Sequence, residues 1–142
     1  MSENNSKHDV LKAMLQKAYD KLATAHKDME FGFFGDASSR SYYAAFHAIS
    51  AVLAEKGMTF SSHAMTLGSF NREFVKSGIF PSDTFRKLQR LYEDRQTGDY
   101  DFSRNINQEA AQIDITDAEW LVNRCLEYLE KTLGQPLLIN GQ

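Results

Sequence analysis

Hydrophobic residues recur at intervals of three and four along most of the chain, the period of one helix face, and no stretch shows the strict alternation of a half-buried strand. The stretch around which the others must pack runs from Ser39 to Lys56. Between Tyr42 and Ala54 it carries no charge. Tyr42, Phe46, Ile49 and Leu53 form its main stripe, and Ala44, Ala45, Ala48, Ala51 and Val52 close most of the remaining faces. A surface helix shows a charged back. This one has none, which predicts a central place in an all-helical domain or a face against a second subunit.

Four further helices follow from the same pattern. Leu11, Leu15, Ala18, Leu22, Ala25 and Met29 hold one stripe, with Met14 beside it and Lys12, Lys17, Lys21 and Lys27 off it. That predicts an amphipathic helix of about six turns, capped by Asp9 after a frayed tail over residues 1–8. Gly32 and Gly35 punctuate its end, and Asp36 or Ser38 is the expected cap of the central helix, so the first two helices should form an antiparallel hairpin. Gly57 closes the central helix. A shorter helix is expected from about His63 to Lys76 on Leu67, Phe70 and Phe74, and Gly78 ends it. Ser82 and Asp83 open a fourth, with Phe85, Leu88 and Tyr92 on one stripe and a loop after Gly98. For the fifth, Asn105 or Asn107 is the expected cap. Thr116-Asp-Ala-Glu119 offers a second start, but Ala111, Ile115, Ala118, Val122, Cys125 and Leu129 keep one phase throughout and predict a single helix to about Leu133. Gly134 and Pro136 then stop it, leaving residues 134–142 as a tail. The fold class is therefore all-α: a five-helix, mostly up-and-down bundle over residues 9–133.

Composition narrows the function classes. A chain of 142 residues, 42% hydrophobic and 25% charged, suits one globular domain. No apolar run reaches the length of a spanning helix, and the polar N-terminus does not read as a signal peptide, so a cytoplasmic protein without a membrane role is expected. A lone Cys125 excludes an internal disulfide framework and a cysteine-rich zinc site. With net charge −3 and pI near 5.8, general affinity for phosphate backbones is not expected; a nucleic-acid role needs a local basic site.

Two constellations carry chemistry. Extending the stripe of Phe85, Leu88 and Tyr92 by three and then four residues lands on Arg95 and Asp99, where apolar side chains would be expected. They form either a structural ion pair near a helix C-terminus or an arginine held for a phosphate, whose oxygens its planar fork fits. On the central helix, Arg40, Tyr43, His47 and Ser50 form a polar stripe, read either as satisfied buried groups or as one wall of a site. His47 and His63 lack the spacing of a metal pair, and no metal is expected. There is no phosphate-cradling glycine pattern and no Gly-x-Ser-x-Gly elbow, so no cofactor is expected.

Arg40-Ser-Tyr-Tyr-Ala-Ala-Phe-His47, Ser62-His63, Phe70 through Phe74-Val-Lys-Ser-Gly78 and Arg95-x-x-x-Asp99-Tyr100 together resemble the HEPN domain family, over about Ala18 to Leu133. The resemblance implies a bundle of four to five helices that forms a homodimer with a cleft at the dimer interface. Many members stand beside a minimal nucleotidyltransferase as toxin and antitoxin, and many are metal-independent ribonucleases. Those ribonucleases carry Arg followed, after four to six residues, by His. Here Tyr100 stands five after Arg95, and Phe102 occupies the place where some toxin members have a tyrosine that the nucleotidyltransferase modifies. A phenol with pKa about 10 is a poor substitute for imidazole in proton transfer near neutral pH. The resemblance thus implies a non-catalytic module in which Arg40, Tyr43, His47, His63, Arg95, Asp99 and Tyr100 bind a nucleotide, RNA or a partner nucleotidyltransferase. The alternative is a ribonuclease that uses Arg95, Asp99 and Tyr100 with a histidine from elsewhere in the dimer.

Overall fold

A computed structural model describes residues 3–141. Among them the chain forms five α-helices and no strand: α1 (Glu3–Glu30), α2 (Phe34–Glu55), α3 (His63–Phe70), α4 (Thr84–Tyr100) and α5 (Gln108–Leu133). The all-α, five-helix reading of the sequence holds. α2 packs against α1, α5 and α4 and buries twelve of its residues, Tyr42, Ile49, Val52 and Leu53 among them. Most of its uncharged surface is therefore covered by the chain's own helices.

Several boundaries differ from the sequence reading. α1 starts at Glu3, so Asp9 lies inside it rather than capping it, and Lys7 reaches Glu55 of α2 at 2.9 Å; residues 1 and 2 lie outside the described residues. α2 starts at Phe34, ahead of both Asp36 and Ser38. The reason is the tightness of the turn: Gly32 adopts φ +80°, Phe33 N–H donates to Asp28 O at 2.8 Å, and the chain has reversed within three residues. Asp36 then sits in the first turn of α2, where a carboxylate meets the positive helix end.

α3 begins as expected, with Ser62 Oγ accepting from Met65 N–H at 3.1 Å. It continues as a π-helical turn over Asn71–Val75, closed by Lys76 N–H on Asn71 O. Phe70 and Phe74 are both buried there, their ring centroids 5.4 Å apart, and Phe80 and Tyr128 complete the cluster. α4 runs through Gly98 to Tyr100. Its fully buried residues are Thr84, Leu88 and Leu91, with Phe85 and Tyr92 only half-buried. The stripe leading to Arg95 and Asp99 is thus the flank of α4, at the edge of the core.

α5 is one helix. Asn107 caps it through a 2.8 Å bond from Ala110 N–H, Thr116 lies in its interior, and Gly134 ends it at φ +73°. After it, Leu137 and Ile139 are buried, and Asn140 exchanges two 2.9 Å hydrogen bonds with the Gln16 side chain. The folded unit thereby extends past Leu133, because two apolar side chains after Pro136 find cover against the bundle. Among the described residues no helix is long and apolar enough to cross a membrane.

Candidate functional site

The site begins where α4 crosses α2. A Cβ placed on Gly98 would lie 2.8 Å from the carbonyl oxygen of Gly35, so the two backbones touch there. This contact brings the last turns of α4 beside Ser39 and Tyr43. Ser39 Oγ donates to Asp99 Oδ2 at 3.1 Å, and the same oxygen lies 3.1 Å from Arg95 Nε. Arg95 Nη2 donates to the hydroxyls of Tyr43 and Tyr100. The guanidinium carbon sits 5.2 Å and 5.1 Å from the centroids of those two rings, within cation–π range. Arg95 is 13% exposed and Asp99 25%. One edge of the guanidinium is thus fixed by Asp99 and two phenols. Nη1 donates no hydrogen bond to the described residues, and Nε meets Asp99 as an ion pair rather than in hydrogen-bond geometry.

The polar stripe of α2 proves to be its accessible face. Arg40 is exposed and Tyr43, His47 and Ser50 are half-buried, while the residues between them are mostly buried. α3 adds a histidine. Phe46 stacks on His63 with centroids 4.1 Å apart, the Tyr43 ring lies 6.0 Å from it, and Tyr42 Oη is 2.7 Å from His63 Nδ1. The structure therefore brings Tyr43, His63, Arg95, Asp99 and Tyr100 into one cluster, with His47 one turn along α2 and Arg40 one turn the other way.

Protonation states follow from burial. Tyr42 is fully buried, which pushes its phenol pKa up and keeps it neutral. Its hydroxyl is hydrogen-bonded to His63 Nδ1, which that contact occupies. Burial, and then the Arg95 charge, hold the His63 pKa below the usual imidazole value. His47 is lowered to about 4, first by burial and then by the charges of Lys17 and Lys21 and by His63. Both imidazoles are neutral at pH 7.

The structure also buries an acid that the sequence reading did not single out. Asp114 of α5 is fully buried, takes a 2.8 Å hydrogen bond from Ser38 Oγ, and lies against Asp94 of α4. Asp114 Oδ1 and Asp94 Oδ2 are buried without any other hydrogen-bond partner, and Arg90 Nε is 3.6 Å from each. Asp114 holds its proton above the usual carboxylate range: burial first, then the neighbouring Asp94, pushes it up to about 8, against the pull of Ser38 and Arg90. A signal was present in the sequence, since Asp114 lies three residues after Ala111 and four before Ala118 on the core face of α5. Serines 38 and 39 thus tie α2 to two acidic systems, one buried and one at the site.

This pair makes stability depend on pH. The folded-state pKa of Asp114 lies above the unfolded value of about 4. Between those values the folded chain holds a proton that the unfolded chain has released, so stability falls as pH rises from about 4 to about 8. Asp114→Asn keeps a donor for Asp94 and an acceptor for Ser38 without the proton. It is expected to melt several degrees higher than wild type at pH 8 and to lose most of that advantage at pH 5. A thermal melt series across this range checks it; a variant less stable than wild type at both pH values would contradict the raised Asp114 pKa.

With the site described, its relatives can be placed. The chain matches the HEPN domain over residues 11–131 and belongs to the HEPN family. It is 32% identical to the UPF0332 protein of Thermotoga maritima over 126 residues, covering 89% of this chain and 96% of that protein. It is also 29% identical over 119 residues to a protein of Methanocaldococcus jannaschii named as a candidate toxin, covering 84% of this chain and 81% of that one. A second protein of the same organism, with the same kind of name, is 29% identical over 130 residues, covering 92% and 96%.

Proposed function

We propose that this HEPN protein is a toxin-like module that binds the phosphate of a nucleotide or of RNA at Arg95 and does not cleave it. The carrying observation is the guanidinium itself. It is oriented by Asp99, Tyr43 and Tyr100, has Nη1 uncommitted, and stands beside the accessible face of α2. A planar cation held in place on one edge suits an oxyanion on the other. The names of the two Methanocaldococcus relatives support the toxin-like part of the reading. A minimal nucleotidyltransferase is the proposed partner, as the family resemblance implies. Self-association is proposed through the end of α4, where Tyr100 and Phe102 are 61% and 100% exposed, near the turn that carries exposed Phe31 and Phe33.

One observation favours a second reading, that of a ribonuclease. The histidine missing after Arg95 has a spatial counterpart in His63, which reaches the same tyrosine cluster from α3 of the same chain. Against it stands the Tyr42 hydrogen bond, which already occupies Nδ1. Incubation of single-stranded RNA with wild-type protein, its oligomeric state first measured by sedimentation, separates the two readings. Cleavage no faster than the Arg95→Ala background is expected. Robust cleavage lost in both Arg95→Ala and His63→Ala would establish the ribonuclease, since a general base contributes about 10²- to 10⁴-fold.

A further inference from the structure

Adjacent residues of α2, and adjacent residues of α4, divide between the site and a buried acid system behind it. Ser38 Oγ donates to Asp114 at 2.8 Å and Ser39 Oγ to Asp99 at 3.1 Å, so neighbouring hydroxyls reach one acid inside the bundle and one at the site. On α4, Asp94 lies against Asp114, and the next residue, Arg95, pairs with Asp99. A shift of α4 at Asp94 is therefore carried by the backbone into the Arg95 cluster. The inner system is balanced in only one protonation state. Two carboxyls there face one guanidinium, Arg90, whose Nε stands 3.6 Å from an oxygen of each, beyond hydrogen-bond reach. Those same oxygens, Asp94 Oδ2 and Asp114 Oδ1, are buried without a hydrogen-bond partner. The charges acting on Asp114 are these two residues of α4; α2 gives it the Ser38 hydroxyl, and α1 brings the apolar Ala25 and Met29 to this end of α5. With Asp114 neutral, Asp94 and Arg90 cancel. With Asp114 ionised, an uncompensated negative charge is left on a buried carboxyl, and like charges in contact separate or draw in water. The joint that yields is between α4 and α5, since α4 packs chiefly on α2 and only lightly on α5.

We infer that Asp94 and Asp114 are positioning residues of the Arg95 site: with Asp114 neutral the pair keeps α4 seated between α2 and α5, and ionisation of Asp114 unseats the end of α4 and displaces the guanidinium from its ligand. The inference rests on the reading of Arg95 as a phosphate site and adds the regulation of that site by pH. The proton leaves to solvent, and no other bond is made or broken. Affinity is full while Asp114 keeps its proton and falls as pH rises through the folded-state value of about 8. The phosphate of a mononucleotide titrates at about 6, below this window, and an arginine stays charged throughout it, so neither produces the fall.

The experiment measures the affinity of wild type, Asp114→Asn, Ser38→Ala and Arg95→Ala for adenosine 5′-monophosphate as a function of pH, and follows the Gly98 amide by nuclear magnetic resonance over the same range without ligand. Since the protonated fraction is the competent one, wild-type affinity is expected to fall about tenfold between pH 7 and pH 9. The Gly98 amide, at the contact with Gly35, is expected to shift with the same midpoint. Asp114→Asn, which cannot ionise, is expected to be flat in both readouts. Ser38→Ala removes a hydrogen bond that pulls the Asp114 pKa down, so its midpoint is expected at higher pH. An unmoved midpoint there would overturn the inference even if Asp114→Asn fails to fold. A flat wild-type binding profile, while Arg95→Ala abolishes binding, would overturn it and leave the Arg95 reading standing. An equal fall in wild type and Asp114→Asn would also overturn it, since another group would then be titrating. Mononucleotide binding that survives Arg95→Ala removes the Arg95 reading instead, and the Gly98 shift then decides whether the pair positions the end of α4.

Discussion

Gly98→Ala is expected to lower the melting temperature by several degrees, while Gly35→Ala is expected to leave it nearly unchanged. Both positions lie in helices, where alanine is favoured over glycine by about 0.8–1 kcal/mol. At Gly35 the new methyl would meet Gly98 Cα at 3.4 Å, ordinary contact, and in the first turn of α2 little of the helix-interior propensity gain applies, so the two nearly cancel. At Gly98 it would lie 2.8 Å from Gly35 O and 3.1 Å from Gly35 Cα. Those are backbone atoms that cannot rotate away, so α2 and α4 must move apart. Overpacking of that kind costs about 1–3 kcal/mol and outweighs the propensity term over most of its range. The displacement also opens the Ser39–Asp99 hydrogen bond, so ligand affinity should fall with stability. Thermal unfolding of the two single variants checks the contrast. Equal melting temperatures would mean that the crossing is looser than the structure shows.

The same crossing shows what sequence reasoning reaches and where it stops. Apolar periodicity located every helix, because burying one face is a local property of spacing, and the phase argument correctly carried α5 through Thr116. The start of α2 was set instead by the left-handed turn at Gly32, which the capping rules for Asp36 and Ser38 do not see. Gly98 read as the end of α4 because glycine so often ends a helix, whereas here it is spared a side chain by the neighbouring backbone of Gly35. Arg95 and Asp99 were legible as charges on an apolar stripe. Their linkage to Ser39, Tyr43 and Tyr100 was not, since it depends on where two helices cross. His63 was visible as a histidine, but its place against Phe46 and Tyr42 is a tertiary fact. Asp114 was missed because a single acid on a core stripe has meaning only once Asp94 and Ser38 are seen to face it.

Arg95→Ala carries the largest expected effect on binding. The substitution removes the cation from a cluster of two phenols and a carboxylate and leaves Asp99 with Ser39 alone. Asp99 is 25% exposed and partly solvated, so the loss of stability should be modest, well below the cost of breaking a fully buried pair. Adding Asp99→Ala should recover part of it. Binding should respond far more strongly, because a charged, directed hydrogen bond to an oxyanion contributes about 1.5–3 kcal/mol, roughly ten- to a hundredfold in affinity. Arg95→Lys separates charge from geometry, since it keeps the cation and loses the fork. The most direct measurement is calorimetric titration of adenosine 5′-monophosphate into wild type, Arg95→Lys and Arg95→Ala. The account predicts saturable binding by wild type, a loss of about tenfold or more in the lysine variant, and no detectable binding in the alanine variant with its fold intact. Binding of equal strength in wild type and Arg95→Ala would contradict it.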